Sequence, residues 1–85
     1  MDNLEEEFKK SVDRIRRKSI FSSEEEVLSL YGLYAHVMAG ECIEPQPWSN
    51  EVIGRARWEA WYKNRRMSRT DAMRKYIEKV NELMK

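Results

Sequence analysis

Both prolines of this 85-residue chain fall in one tripeptide, Pro45-Gln46-Pro47. Proline lacks a backbone N–H and its ring clashes with the preceding turn, so a helix does not run through such a pair. Elsewhere apolar residues recur every three or four positions, and nothing sustains the alternation of a strand. The chain therefore reads as all-α, with helices on either side of one forced break.

Four helices are predicted. The first covers about Asn3 to Lys18, with Leu4, Phe8, Val12 and Ile15 on one face. Asp2 or Asn3 can cap it, and Glu5, Glu6 and Glu7 suit its positive end. The second runs from Glu24 to Ala39, opened by Ser22 or Ser23 and closed by Gly40. Its apolar stripe is Val27, Leu30, Tyr31, Tyr34, Val37 and Met38, flanked by Leu28 and Leu33. The third runs from Glu51 to Asn64, capped by Ser49 or Asn50, with Val52, Ile53, Ala56, Ala60 and Trp61 as its apolar contacts and Trp58 on another side. Gly54 within it costs about 1 kcal/mol against alanine, which suggests close approach by a neighbour. The fourth begins at Ser68, with Asp71 in its first turn and Ala72, Met73, Tyr76, Ile77, Val80 and Leu83 on its apolar face. The loop ECIEPQPWS exceeds the usual connection and marks a crossover or a site. Trp48 is expected to fold back from it as a plug over the core. One domain, residues 1–85, is the natural reading of this length.

Several function classes drop out. No apolar stretch approaches the roughly 20 residues of a membrane helix. The N-terminal MDNLEEEFKK is acidic and lacks the apolar run of a signal peptide. The expected location is cytoplasmic, or organelle-associated where such a domain belongs to a longer protein. Cys42 is the single cysteine, so no internal disulfide forms, and with His36 it makes no zinc site. It reads as a loop bystander. No nucleophile–base grouping and no glycine-rich phosphate loop is present, so an enzyme is not expected.

Binding chemistry is better represented. The net charge of +1 is split, with −4 over residues 1–50 and +5 over residues 51–85. Arg55, Arg57, Lys63, Arg65 and Arg66 surround Trp58 and Trp61. Arginine forms paired bonds to phosphate oxygens, and aromatic rings stack on bases. Such interleaving suits a nucleic acid, a nucleotide-bearing small molecule, or simply a solvated face over core tryptophans. Tyr31 and Tyr34 lie on neighbouring faces of one helix, either as core residues with surface hydroxyls or as a stacking pair. If helices two, three and four converge, Tyr31, Arg57 and Tyr76 ring a phosphate and a base.

Four segments together carry a resemblance. They are LYGLY at 30–34, AGE at 39–41, RARWEAW at 55–61 and SRTDAMRKYIEKVNEL at 68–83. They resemble the acyl-CoA-binding protein family, whose members show YxxYKQA, then GD, a KAKWDAW-like segment and DAMxxYIxxVxxL. The resemblance runs from Phe8 to Leu83 without an insertion. It implies an up-down-down-up four-helix bundle with a long crossover between the second and third helices. It also implies a non-enzymatic protein, without cofactor, that binds long-chain fatty acyl-CoA and buffers and carries the acyl-CoA pool.

Carried over by position, Tyr31, Tyr34, Arg57 and Tyr76 would hold the nucleotide head group. Arg16 would stand in for a lysine of the first helix. Val27, Leu28 and Ile53 would touch the acyl chain. The resemblance further implies a monomer, transient contact with enzymes that use acyl-CoA or with membrane surfaces, and no nucleic acid. Two positions depart from the pattern. Ala35 replaces a lysine that binds the 3′-phosphate, and Phe21 stands where a lysine is frequent. A charge-assisted bond is worth about 1.5–3 kcal/mol. The expectation is therefore weaker CoA binding or compensation by another cation, and the alternative is a protein-interaction module of the same fold.

Overall fold

The computed structural model describes residues 3–17 and 23–84. They form α1 (Leu4–Arg17), α2 (Glu24–Ala39), α3 (Val52–Tyr62) and α4 (Arg69–Leu83). The helices make the expected up-down-down-up bundle, and residues 40–51 are the crossover between α2 and α3.

Local chemistry sets most of the boundaries. Ser23 accepts a hydrogen bond from the Glu26 N–H at 3.2 Å, and Ser68 accepts one from the Asp71 N–H at 3.0 Å. Each satisfies one of the free donors that open a helix. Gly40 closes α2 at φ 84°, a left-handed value that glycine adopts without steric penalty, and its N–H bonds to the His36 carbonyl. Helix α1 carries Glu5, Glu6 and Glu7 in its first turn and Arg14, Arg16 and Arg17 in its last, matching the macrodipole at both ends. Asp2, Lys18, Phe21 and Ser22, which the sequence reading used, lie outside the described residues.

Helix α1 packs on α4, α4 on α2, and α2 on α3. The backbones of the remaining pairs do not approach one another, so those of α1 and α2 stand apart across α4, and those of α3 and α4 across α2. The continuous core consists of Phe8 and Ile15 from α1, Leu30, Leu33 and Val37 from α2, and Ala72, Met73, Tyr76 and Val80 from α4. Helix α3 buries only Ala60. It comes close to α2 at Gly32, where an added Cβ would run into the Ala60 carbonyl.

Five expectations need correction. The buried face of α2 is Leu30, Gly32, Leu33, His36 and Val37, while Val27, Tyr31 and Met38 are exposed. The helix is covered by α4 and by α3, so its buried face is wider and rotated relative to a single stripe. Val52 and Ile53 are exposed rather than packed, Ile53 by 70%. Gly54 meets nothing closer than the Glu51 Cβ at 3.9 Å, so Gly32, not Gly54, allows the close approach. Trp48 is 81% exposed and plugs nothing. A turn holds it out: its N–H donates to the Glu51 carboxylate at 3.1 Å, and the Glu51 N–H donates to its carbonyl at 3.0 Å. Glu51 thus begins α3 without a side-chain cap, where Ser49 or Asn50 was expected. Within the crossover Cys42 is the buried residue.

Candidate functional site

The gap between α1 and α2 is a groove of about 300 Å³ floored by α4. Its aromatic wall is Tyr31 and Tyr34 from α2 with Tyr76 from α4. Val12, Ile15 and Arg16 line it from α1, and Val27 and Leu30 from α2. One turn separates Tyr31 from Tyr34, so both reach the same opening. Tyr34 and Tyr76 are fixed by Phe8, whose ring centroid lies 6.2 Å from Tyr34 in a stacked arrangement and 5.0 Å from Tyr76 edge-on. Such ring contacts orient the phenols as well as burying them.

Helix α3 adds the second cation. The Arg57 guanidinium carbon lies 5.7 Å from the Tyr31 ring centroid, within cation–π range. Arg16 stands on the other side and bears electrostatically on Tyr76. Burial, then the neighbouring Tyr34, push the Tyr76 hydroxyl up to about 12, and Arg16 offsets part of this. Tyr76 is therefore a neutral phenol that donates and accepts hydrogen bonds across the ordinary pH range.

The structure brings five of the eight predicted site residues into one groove: Tyr31, Tyr34, Tyr76, Arg16 and Val27. Arg57 joins them through Tyr31. Leu28 is half-buried on α2, and Ile53 is exposed near the start of α3; neither lines the groove. Past Tyr34 the opening continues into a cavity of about 480 Å³ that also has Lys9, Met38 and Arg69 on its walls. Sequence reasoning singled out none of these for binding. Arg69 is tied by its Nε to the Val37 carbonyl at 3.1 Å and by Nη1 to Glu5 at 2.9 Å. The signal for Lys9 was available, since it follows Phe8 and lies one turn before Val12 and Asp13.

Ala35 is half-buried and His36 is buried. The His36 Nε2–H donates to the Met67 carbonyl. This histidine joins α2 to the turn before α4 and does not reach the groove. The two tryptophans of α3 are structural as well. The Trp58 indole donates to the Glu44 carbonyl and the Trp61 indole to the Gly40 carbonyl, both at 2.8 Å, which fastens both halves of the crossover. Tyr62 stacks on Trp58 at 4.5 Å, and Arg65 covers Tyr62 at 4.0 Å.

Aromatic faces beside two arginines suit a planar heterocycle carrying phosphate. Among the described residues no group of three or more His, Cys, Asp or Glu is placed to hold a metal. Comparison with known proteins points the same way. The family model described as "Acyl CoA binding protein" matches residues 5–80. The rat protein "Diazepam-binding inhibitor-like 5" is 46% identical over 63 residues, 74% of this chain and 72% of its own length. "Acyl-CoA-binding domain-containing protein 1" of Arabidopsis thaliana is 42% identical over 71 residues, 84% of this chain but 20% of its own length. The crystal structure of "Oryza sativa Acyl-CoA-Binding Protein 2" superposes with a TM-score of 0.92 at 32% identity, over 96% of this chain and 89% of that one.

Proposed function

We propose a carrier function, because the chain belongs to the acyl-CoA-binding protein family: it binds long-chain fatty acyl-CoA, shields it and hands it on. The observation that supports this most is the groove itself. Helices α1, α2 and α4 line it with three tyrosines and Arg16, and α3 brings Arg57 against the Tyr31 ring. In this reading Tyr34 covers the adenine, while Tyr31, Tyr76, Arg16 and Arg57 meet the phosphates. Val27 starts the path of the acyl chain, and Leu28 and Ile53 continue it along α2 and α3.

The free energy of such binding divides naturally. Each methylene removed from water contributes about 0.8 kcal/mol, which makes the acyl chain the main source of affinity. Ordering and lost translation take back much of that sum. Phosphate pairing and stacking then select the CoA ester over a free fatty acid. No bond is made or broken, so the chemistry needs only a shaped, partly cationic surface.

Titration calorimetry with palmitoyl-CoA, with palmitate and CoA as separate ligands, tests the reading. One-to-one binding of the thioester, far tighter than either fragment, is the expected result. Absence of binding by a folded sample would overturn it and favour the protein-interaction module, for which Ala35 is the motivating residue. Ala35→Lys restores a cation one residue from Tyr34 and is expected to tighten palmitoyl-CoA binding about tenfold, the equivalent of one charge-assisted bond. An unchanged constant would mean that Lys9 or Arg16 already supplies that charge.

A further inference from the structure

The packing order α1–α4–α2–α3 leaves two gaps, not one. The first, between α1 and α2, is the tyrosine-lined groove described above. The second lies between α3 and α4 with α2 as its floor, and it holds a cleft of about 300 Å³. The two clefts share no lining residue. Their chemistry is also different. The second carries Lys63 from the end of α3, and Lys75 and Lys79 from successive turns of α4.

Three lysines from two elements, the end of α3 and the middle of α4, gather like charge around one cleft. Lys75 and Lys79 are also an i, i+4 like-charge pair, which opposes the helix that carries them. Among the described residues the ion pairs within 4.0 Å are Arg55–Glu59 and Arg69–Glu5, so none of the three lysines is neutralised by one. Glu78 and Glu82 line the same cleft without closing such a pair. Leu33 of α2 is the apolar part of the floor, and polar groups stand beside it. Ser29 supplies a hydroxyl, and Asn64 is buried with its amide nitrogen donating to the Ala60 carbonyl at 3.1 Å.

We propose that this cleft is a second ligand site, independent of the acyl-CoA groove, which takes a phosphate ester bearing free hydroxyls. The lysines supply ammonium donors for the phosphate, a group that carries about −1.5 to −2 charges at neutral pH. The two glutamates are acceptors and match hydroxyl donors on the rest of the ligand. A bare inorganic anion would use the lysines and be repelled by the carboxylates, whereas a polyol phosphate uses both. The volume sits at the small end of ligand pockets, roughly 300–1,000 Å³, which suits a single sugar- or inositol-sized ring. A soluble ester and a lipid head group offer the same chemistry.

The test is a titration of myo-inositol 1-phosphate into 15N-labelled protein followed by amide shifts, with inorganic phosphate as the comparison ligand. It is run with and without saturating palmitoyl-CoA, so that a failure of the carrier reading and a failure of this site are seen separately. Saturable shifts at Ser29, Lys63, Asn64, Lys75 and Lys79, unchanged by palmitoyl-CoA, are expected. The double variant Lys75→Gln, Lys79→Gln is expected to weaken binding about tenfold or more. Lys75 is exposed and Lys79 half-buried, glutamine keeps the length of most of the side chain, and circular dichroism checks that the variant is folded. The double variant Glu78→Gln, Glu82→Gln is expected to bind inorganic phosphate more tightly and to lose the preference for the inositol ester. Shifts that do not saturate, that centre on Arg16 and Arg57, or that survive loss of both lysines would overturn the site. An inositol preference that survives loss of both glutamates would overturn the ligand class. Sedimentation with vesicles containing phosphatidylinositol 4-phosphate, compared with phosphatidylcholine alone, identifies the source. Lysine-dependent capture supports the site with a lipid head group as its ligand, and saturable binding of the soluble ester without capture supports it with a free ester.

Discussion

Helices α1, α2 and α4 and helix α3 belong to one bundle but are held by different forces. The first three share the continuous core, from Phe8 and Ile15 through Leu30 to Tyr76 and Val80. Helix α3 contributes nothing to that cluster and buries Ala60 alone. It is held by the close passage of Gly32 over Ala60 and by neighbouring indole and amide hydrogen bonds. Apolar burial is non-directional and tolerates small adjustments; a backbone contact at a glycine does not. The difference matters for binding because Arg57 rides on the helix held by the less forgiving contacts, while Tyr34 and Tyr76 sit in the core.

The sharpest way to break this arrangement is Gly32→Ala. Alanine would gain about 1 kcal/mol of helix propensity. Its Cβ, however, would meet backbone atoms of Ala60, which cannot turn aside as a side chain would. Overpacking of that kind costs about 3 kcal/mol, so a net loss of about 2 kcal/mol is expected in urea unfolding. Hydrogen exchange is expected to speed in α3 while amides near Tyr76 and Val80 keep their protection. Uniform loss across all four helices would erase the distinction between the two regions. Gly54→Ala is the internal control, since its site is open, and it is expected to stabilise α3 by up to about 1 kcal/mol.

The core side has its own signature in alkali. The Tyr76 hydroxyl titrates near 12 in the folded protein against 10.0 for an ordinary tyrosine, chiefly because it is buried. Below pH 10 both folded and unfolded chains hold the neutral phenol, and its contribution to stability is complete. Between pH 10 and about 12 the unfolded chain sheds the proton while the folded one keeps it, so stability falls as pH rises. Denaturation midpoints taken through that window should drop more steeply for the natural protein than for Tyr76→Phe. Parallel curves would show that the phenol is not desolvated and would weaken the contrast.

Smaller effects resolve the two indole bonds. Trp61→Phe leaves the half-buried Gly40 carbonyl without its partner and is expected to cost about 1–2 kcal/mol. Trp58→Phe frees the Glu44 carbonyl on an exposed part of the crossover, where water replaces the bond, and is expected to cost about 0.5–1 kcal/mol. Thermal unfolding of the two variants ranks them. A larger loss at Trp58 would mean that the middle of the crossover, not its start, anchors α3.

The legible parts of this molecule were those set by local chemistry or by a combination of motifs. Ser23, Ser68 and Gly40 mark helix ends because their caps are made within a few residues. Helix α4 read correctly from its period because it offers an apolar face to α1 and α2. The α2 face did not, because a helix covered by both α4 and α3 buries positions such as Gly32 and His36 that no single stripe includes. Gly32 was the missed clue: a glycine inside an apolar helix is unfavourable unless something passes close to it. In the groove, Tyr31, Tyr34, Tyr76 and Arg16 were named in advance from the family motifs. Arg69 was not, since only the tertiary packing brings the start of α4 near Tyr34, whereas Lys9 was legible from its place beside Phe8 and was passed over.

Trp48 sharpens the comparison through an effect close to zero. An isolated tryptophan in a short chain invites the view that it closes the core, and on that view Trp48→Ser would cost several kcal/mol, as removal of a large buried ring does. The side chain is instead held in solvent by the turn that Glu51 makes with the Trp48 backbone. That turn uses main-chain groups of residue 48, which serine supplies equally well. Surface changes of this kind shift stability by no more than about 0.5 kcal/mol. Equal urea midpoints for the two proteins are therefore expected. Acrylamide quenching supplies the complementary measurement: Trp48 should account for most of the quenchable emission, and its removal should leave the shielded signal of Trp58 and Trp61. A large loss of stability, or unchanged quenching, would return Trp48 to the core and make the crossover part of the apolar packing rather than a hydrogen-bonded strap.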